Sequence, residues 1–150
     1  MRREPNDRED ARRQVIARVV WGGLVVGYAL ALLLATGWKE VRDLERAGGG
    51  AELGWDKFLH AAAFFACGLL LTKFFTTLFH ARLSPRSFVG ASALGSTYGV
   101  FHEGIQLWLP GLTFNPLDLL ADLLGLFLGV WLLRRFLSRA TRPACRSHVV

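Results

Sequence analysis

The 150-residue sequence predicts an all-α membrane protein with four transmembrane helices in a small bundle. Only 20% of its residues are charged and 52% are hydrophobic, whereas a soluble domain carries about 25% charged residues. Residues 19–38 contain no charged side chain, and about 20 apolar residues suffice for a helix that crosses a bilayer. These features exclude an ordinary water-soluble domain. They also exclude a disordered chain, because long apolar runs do not remain solvated.

Four apolar segments define the predicted helices. They cover about 15–38, 58–79, 87–109 and 117–133. The chain is thereby divided into a basic N-terminal tail at 1–14, a membrane domain at 15–133 and a basic C-terminal tail at 134–150. The first segment has the basic start of a signal peptide, but its apolar run is longer than the usual core of about 7–15 residues. We therefore expect an uncleaved transmembrane helix there.

The basic residues are divided unequally between the two sides of the predicted bundle. The side that holds both termini receives 14: Arg2, Arg3, Arg8, Arg12, Arg13, Arg18, Lys73, Arg82, Arg86, Arg134, Arg135, Arg139, Arg142 and Arg146. The other side receives 4: Lys39, Arg42, Arg46 and Lys57. Because Lys and Arg accumulate on the cytoplasmic side of membrane proteins, we expect both termini in the cytoplasm. Orientation thus accounts for the net charge of +6, and no nucleic-acid partner is expected.

A long connection, residues 39–55, joins the first two segments. We expect it to be exposed and mobile around the glycines at 48–50, with a short amphipathic helix over 39–47.

Apart from Lys73, the ionisable side chains that interrupt the last three apolar segments lie in the halves away from the termini. A carboxylate at the middle of a membrane helix costs about 3 kcal/mol on insertion scales, so such groups are expected to face the bundle interior. We predict one polar cluster there, made of Asp56, His60, Glu103, Gln106, Asp118 and Asp122. Lys57, His102 and Asn115 are candidates for supporting positions around it.

Helical spacing puts these polar residues on the same faces as small ones. The three predicted stripes are Asp56, His60, Ala63 and Cys67; Ser92, Ser96, Gly99, Glu103 and Gln106; and Asp118, Asp122, Gly125 and Gly129. Small residues allow membrane helices to approach closely, so each stripe should face a neighbouring helix.

Simpler interpretations exist for several of these residues. Asp56 and Asp118 are also suited to a helix start, where a negative charge is stabilised by the helix dipole. His102 has no partner on its own stripe, which fits an interfacial side chain. Glu103 and Asp122 have no comparable alternative, because an acid inside a membrane bundle must be paired, hydrogen-bonded or protonated.

Three motifs resemble those of the VanZ-like membrane proteins. Trp55-Asp56-Lys57-Phe58-Leu59-His60 is similar to that family's D-K-x-x-H opening, and Glu103-Gly104-Ile105-Gln106 with Leu109-Pro110-Gly111 is similar to its E-x-x-Q-x-x-x-P-G segment. Asp118, Asp122, Gly125 and Gly129 resemble the D-x-x-x-N-x-x-G-x-x-x-G ending. The family often has Arg where this chain has Leu112 and Asn where it has Asp122. The family is named for an association with teicoplanin resistance, so the resemblance implies a lipid-related or cell-envelope role.

Three functions remain open from the sequence. The cluster could bind an envelope lipid, a glycolipid headgroup or a lipid-linked precursor. It could instead serve an intramembrane metal-dependent hydrolase or transferase, with His60, Glu103 and Asp122 as candidate metal ligands. The protein could also be a structural membrane partner, in which the cluster only holds the helix bundle together. The sequence specifies no cofactor, catalytic residue or oligomeric state.

Overall fold

The computed structural model describes residues 7–38, 54–79, 84–108 and 114–140. These ranges form four α-helices, α1 (Asp7–Gly37), α2 (Trp55–Leu78), α3 (Pro85–Gln106) and α4 (Pro116–Ala140), and contain no strand. The all-α prediction is therefore confirmed for the described part of the chain. The connection at 39–47 and 48–50, and Leu112, lie outside it.

Three of the helices are long and apolar enough to cross a membrane. The corresponding stretches are Arg8–Gly37, Trp55–Leu78 and Pro116–Arg139. α1 begins before the predicted start at residue 15, and α4 continues past 133. Both extensions contain several Arg residues, which are good helix formers. The apolar run thus marks the part of a helix suited to lipid, whereas the helix itself continues beyond it.

The starts of α3 and α4 are determined locally by a polar cap followed by proline. Ser84 accepts a hydrogen bond from the Arg86 backbone N–H at 3.3 Å, and Asn115 Oδ1 accepts one from the Leu117 N–H at 3.1 Å. A capping side chain followed by proline favours helix initiation. The start of α4 puts Asp118 in its first turn.

α2 and α4 pack with their backbones in contact. A Cβ atom at Gly125 would overlap the Ala61 carbonyl oxygen, and one at Gly129 would overlap the carbonyl oxygen of Phe65. Only glycine permits this approach, so the predicted packing role of the small residues on α4 is confirmed.

α1 is joined to the rest of the bundle by two tyrosine hydroxyls. Tyr28 Oη donates to the Ala63 carbonyl oxygen at 2.9 Å, and Tyr98 Oη donates to that of Ala29 at 2.7 Å. These bonds connect α1 to α2 and to α3. The apolar core beneath them consists of Phe64, Cys67, Leu71, Phe88, Ala91, Leu126 and Val130.

The buried face of α3 differs in part from the predicted stripe. Gly99, Glu103 and Gln106 are buried, but Ser92 and Ser96 are only partly so and border a groove between α3 and α4. Ala91 and Gly95 occupy the buried positions instead. Gly95 leaves space for the Leu126 side chain, which turns this side of α3 toward α4.

Candidate functional site

The polar side chains meet where α1 and α3 end and where α2 and α4 begin, a region we call the cluster end. His60 Nδ1 lies 2.9 Å from Asp122 Oδ1, which joins α2 to α4. The same nitrogen lies 3.9 Å from Glu103 Oε1, which brings in α3. Residues from three helices, far apart in the sequence, therefore form one cluster.

The acids of this cluster are isolated from solvent. Glu103 and Asp122 are 0% exposed, and Gln106 is 7% exposed. Gln106 Nε2 donates to Glu103 Oε1 at 3.0 Å. Among the described residues, the imidazoles of His60 and His102 are the cationic candidates within 4.0 Å of either carboxylate. The helix stripes had predicted the convergence of these side chains, and the structure has it.

His102 belongs to the interior of the cluster. It is only 6% exposed, so the interpretation of this residue as an interfacial side chain is wrong. Its ring lies about edge-on to those of His60 and Phe64, with centroids 6.0 and 5.8 Å away. The buried polar face of α3 is wider than the single predicted stripe. Both His102 and Glu103 therefore lie inside the bundle.

Thr36, near the end of α1, orients the His102 ring. The Thr36 hydroxyl donates to the Leu32 carbonyl oxygen at 2.9 Å, and its oxygen lies 2.8 Å from His102 Nε2. Both contacts are hydrogen bonds at once only when the hydroxyl donates to Leu32 and Thr36 Oγ1 accepts from the Nε2–H of His102, so we assign that tautomer. In the neutral ring, Nδ1 then carries a lone pair, and it lies 3.7 Å from Glu103 Oε1.

A second group of charges forms the rim of the cluster. Lys57 Nζ lies 2.8 Å from Asp118 Oδ1 and also pairs with Asp56. The side chains of Lys57, Asp118 and Asp56 are 17%, 12% and 27% exposed. They are thus more accessible than Glu103 and Asp122 and lie between the buried acids and the surroundings of the bundle.

Asn115 has a different role from the one suggested by the sequence. Its side-chain oxygen is the cap of α4, and its carbonyl oxygen accepts from the backbone N–H of Asp118 at 3.0 Å. It therefore positions Asp118 through the backbone.

In the interior of the cluster, inside the rim of Lys57, Asp118 and Asp56, three buried polar atoms make no hydrogen bond to the described residues. They are His102 Nδ1, Glu103 Oε2 and Asp122 Oδ2. Buried polar atoms in folded proteins are almost always satisfied, so such a concentration calls for a ligand, an ion, a water molecule or a proton. All three atoms are of kinds that bind metal ions.

Four side chains of the cluster could hold one metal ion. His60, His102, Glu103 and Asp122 each offer a ligand atom, and these four atoms all lie within 4.8 Å of one another. The sequence had suggested three of the four. It gave no sign of His102 in this role. It gave none of Thr36 either, because an apolar helix such as α1 gives no indication of which residues face its neighbours.

Comparison of the chain with models of protein families, with curated proteins and with solved structures finds no match.

Proposed function

We propose that the chain is a four-span protein of a bacterial cytoplasmic membrane, with the cluster end on the outer side and both termini in the cytoplasm. Among the described residues, Lys57 is the basic residue at the cluster end, and nine others lie toward the opposite end: Arg8, Arg12, Arg13, Arg18, Lys73, Arg86, Arg134, Arg135 and Arg139. The positive-inside rule assigns the second group to the cytoplasm.

The proposed fourth span is α3, which its composition alone does not identify. Ser, Gly, His, Glu and Gln lower its mean hydropathy, but these residues face largely inward. Its outward side carries exposed Val89, Val100 and Phe101. An apolar outer surface around a polar interior is the arrangement that a membrane-embedded helix in a bundle requires.

Topology can be tested by cysteine labelling on intact cells, after replacement of both native cysteines by serine. A Gly49→Cys variant should react with an impermeant thiol reagent, and a Ser84→Cys variant should react only after the cells are permeabilised. The reverse labelling would exclude the proposed orientation.

We also propose that the chain is VanZ-like and that the cluster end binds the headgroup of an envelope lipid or lipid-linked precursor. The observation that carries this proposal is the rim of Lys57, Asp118 and Asp56, partly exposed and continuous with the buried acids. The rim has one ammonium group, at Lys57, against two carboxylates, so it suits the hydroxyls or an amine of a headgroup better than a bare phosphate. Among the described residues, the polar motif positions that converge here are Asp56, Lys57, His60, Glu103, Gln106, Asp118 and Asp122.

Mass spectrometry of the chain in native membrane discs tests this proposal. We expect a lipid that remains bound to the wild type and is lost from Lys57→Gln. Lys73→Gln, a change of the same kind at the other end of α2, should retain the lipid. Equal lipid occupancy in the two variants would contradict the proposal.

A metal-dependent hydrolase or transferase acting on a lipid-linked substrate is the second candidate. It is favoured by the four metal-capable side chains within 4.8 Å. A purely structural role is less well supported, because interhelical hydrogen bonds that hold a bundle together would satisfy the atoms of Glu103 and Asp122 that make none.

A further inference from the structure

We infer that the buried part of the cluster is a binding site for one divalent transition-metal ion, with Zn²⁺ the best-matched ion. The ligands are His60, His102, Glu103 and Asp122. The inference concerns the same centre as the proposed function and rests on it for the location in the membrane. It does not depend on the headgroup proposal.

The spacing of the four ligand atoms supports a metal site. Zn²⁺ binds His nitrogen and carboxylate oxygen at about 2.0–2.2 Å, so neighbouring ligands of a tetrahedral site lie about 3.3 Å apart. His60 Nδ1 lies 2.9 Å from Asp122 Oδ1 and 3.9 Å from Glu103 Oε1, and His102 Nδ1 lies 3.7 Å from the same Glu103 oxygen. These three distances bracket the required value, and all four ligand atoms lie within 4.8 Å of one another, so the widest separations must shorten on binding.

The buried atoms that make no hydrogen bond also support a metal site. His102 Nδ1 makes none and lies toward Glu103, and the Glu103 and Asp122 carboxylates each have one oxygen without a donor. Glu103 and Asp122 are fully buried. A metal ion between the two carboxylates would satisfy His102 Nδ1 directly and, where a carboxylate binds through both of its oxygens, the free oxygen as well.

The supporting hydrogen bonds are those that metal ligands require. A ligating imidazole normally donates its other N–H to a fixed acceptor, which selects the tautomer and the ring orientation. For His102 the acceptor is Thr36 Oγ1, at 2.8 Å. The Glu103 carboxylate is oriented in the same way by Gln106 Nε2, at 3.0 Å.

The charge balance of the cluster also favours a bound divalent cation. Two ionised carboxylates buried among neutral side chains are unfavourable, and the nearest ammonium group, that of Lys57, is paired with Asp118 and Asp56. A divalent cation with two carboxylates and two neutral imidazoles gives no net charge. If His60 starts as the imidazolium, its Nδ1 proton leaves to water when the ion binds, and its Nε2–H keeps the ring neutral; if it starts as the neutral ring, the proton moves from Nδ1 to Nε2.

Metal analysis of the full chain in detergent, purified without a histidine tag, tests the inference. The protein is stripped with a chelator, incubated with Zn²⁺, desalted and measured by elemental analysis. We expect one equivalent of zinc per chain. Asp122→Asn should lose it, since the amide keeps the shape and the acceptor oxygen for His60 but not the charge. Asp56→Asn, at the rim, should retain it.

Circular dichroism and gel filtration show whether each variant is folded. If Asp122→Asn does not fold, Glu103→Gln replaces it in the comparison. A Co²⁺-loaded sample should show the visible absorption bands of tetrahedral coordination, and these should be absent in the same variant. Failure of the wild type to bind zinc, or equal binding by folded Asp122→Asn, would overturn the inference.

The two proposals fail separately. Stoichiometric zinc without co-purifying lipid would leave the metal site standing and contradict headgroup binding. Lipid that depends on Lys57, without zinc, would do the opposite.

Discussion

The two ends of the bundle carry charge in opposite ways. At the basic end, where α1 and α3 begin and α2 and α4 end, cations lie over aromatic rings. Arg134 is 4.8 Å from the Phe88 ring centroid, and Lys73 is 5.6 Å from that of Trp21. At the cluster end, His60 and Asp122 contact each other inside the bundle. The basic end has more charges, so burial and missing partners identify a site better than the number of ionisable groups.

The largest difference between the ends is expected for two substitutions on α2. His60→Ala removes an imidazole partner of Asp122 and Glu103, and loss of one member of a buried pair costs about 3–5 kcal/mol. Lys73→Ala removes a cation above an indole ring, a contact of about 0.5–1 kcal/mol. The free energy of unfolding can be measured for each in mixed detergent micelles. Equal losses would show that the two ends are energetically alike.

A second comparison concerns the glycine interface below the cluster. Gly125→Ala introduces a methyl group against the Ala61 carbonyl oxygen, and we expect a loss of about 3 kcal/mol from overpacking. Gly125 is one helical turn from Asp122, so the α2–α4 distance across the His60–Asp122 contact should increase as well. Thermal unfolding in detergent measures the loss.

Gly27→Ala is the matched control for this interface. No atom lies within 4 Å of a Cβ at that position on α1, so this change should be neutral or slightly stabilising, because alanine favours helix. If both variants lose the same stability, the close packing of α2 against α4 is not what holds the cluster together.

The sequence was most informative where helices have one polar and one apolar face. The period of α4 placed Asp118, Asp122, Gly125 and Gly129 on one stripe, and all four are buried. The stripe of α2 led in the same way to His60. These predictions held because a helix with an apolar outer face has one inward face, and that face takes both its acids and its close-packed glycines.

The sequence was less informative about α3 and α1. On α3, Ser92 and Ser96 are more exposed than the stripe implied. The spacing of residues along the sequence does not show how neighbouring helices rotate a helix about its own axis. α1 is apolar on all sides, so its pattern could not indicate that Thr36 contacts His102. Such contacts depend on tertiary packing between helices.

A third comparison separates the tertiary role of Thr36 from its local one. Thr36 and Thr97 each donate to the carbonyl oxygen four residues earlier, at 2.9 Å, but only the first also accepts from an imidazole. Thr36→Val leaves the buried Nε2–H of His102 without an acceptor, which costs about 1–3 kcal/mol. Thr97→Val should change the free energy of unfolding by under about 0.5 kcal/mol, as surface substitutions do.

A control on the ring itself completes this test. The nitrogen chemical shifts of His102, measured by NMR with selective labelling, should report Nε2–H as the neutral tautomer in the wild type. In Thr36→Val that preference should weaken. An unchanged tautomer would mean that Thr36 does not orient the ring.

The smallest effect is expected at the basic end, for Arg134→Gln. The guanidinium of Arg134 lies over the Phe88 ring, but the residue is exposed, and an exposed cation–π contact contributes about 0.5–1 kcal/mol. The proposed orientation should not change either, because 13 of the 14 basic residues that the sequence assigns to the cytoplasmic side remain. Unfolding in detergent and the cysteine-labelling pattern should therefore both resemble those of the wild type. A loss as large as that of His60→Ala would show that Arg134 supports the bundle core through Phe88. The contrast between a buried polar cluster and exposed cations at the basic end would then no longer describe this protein.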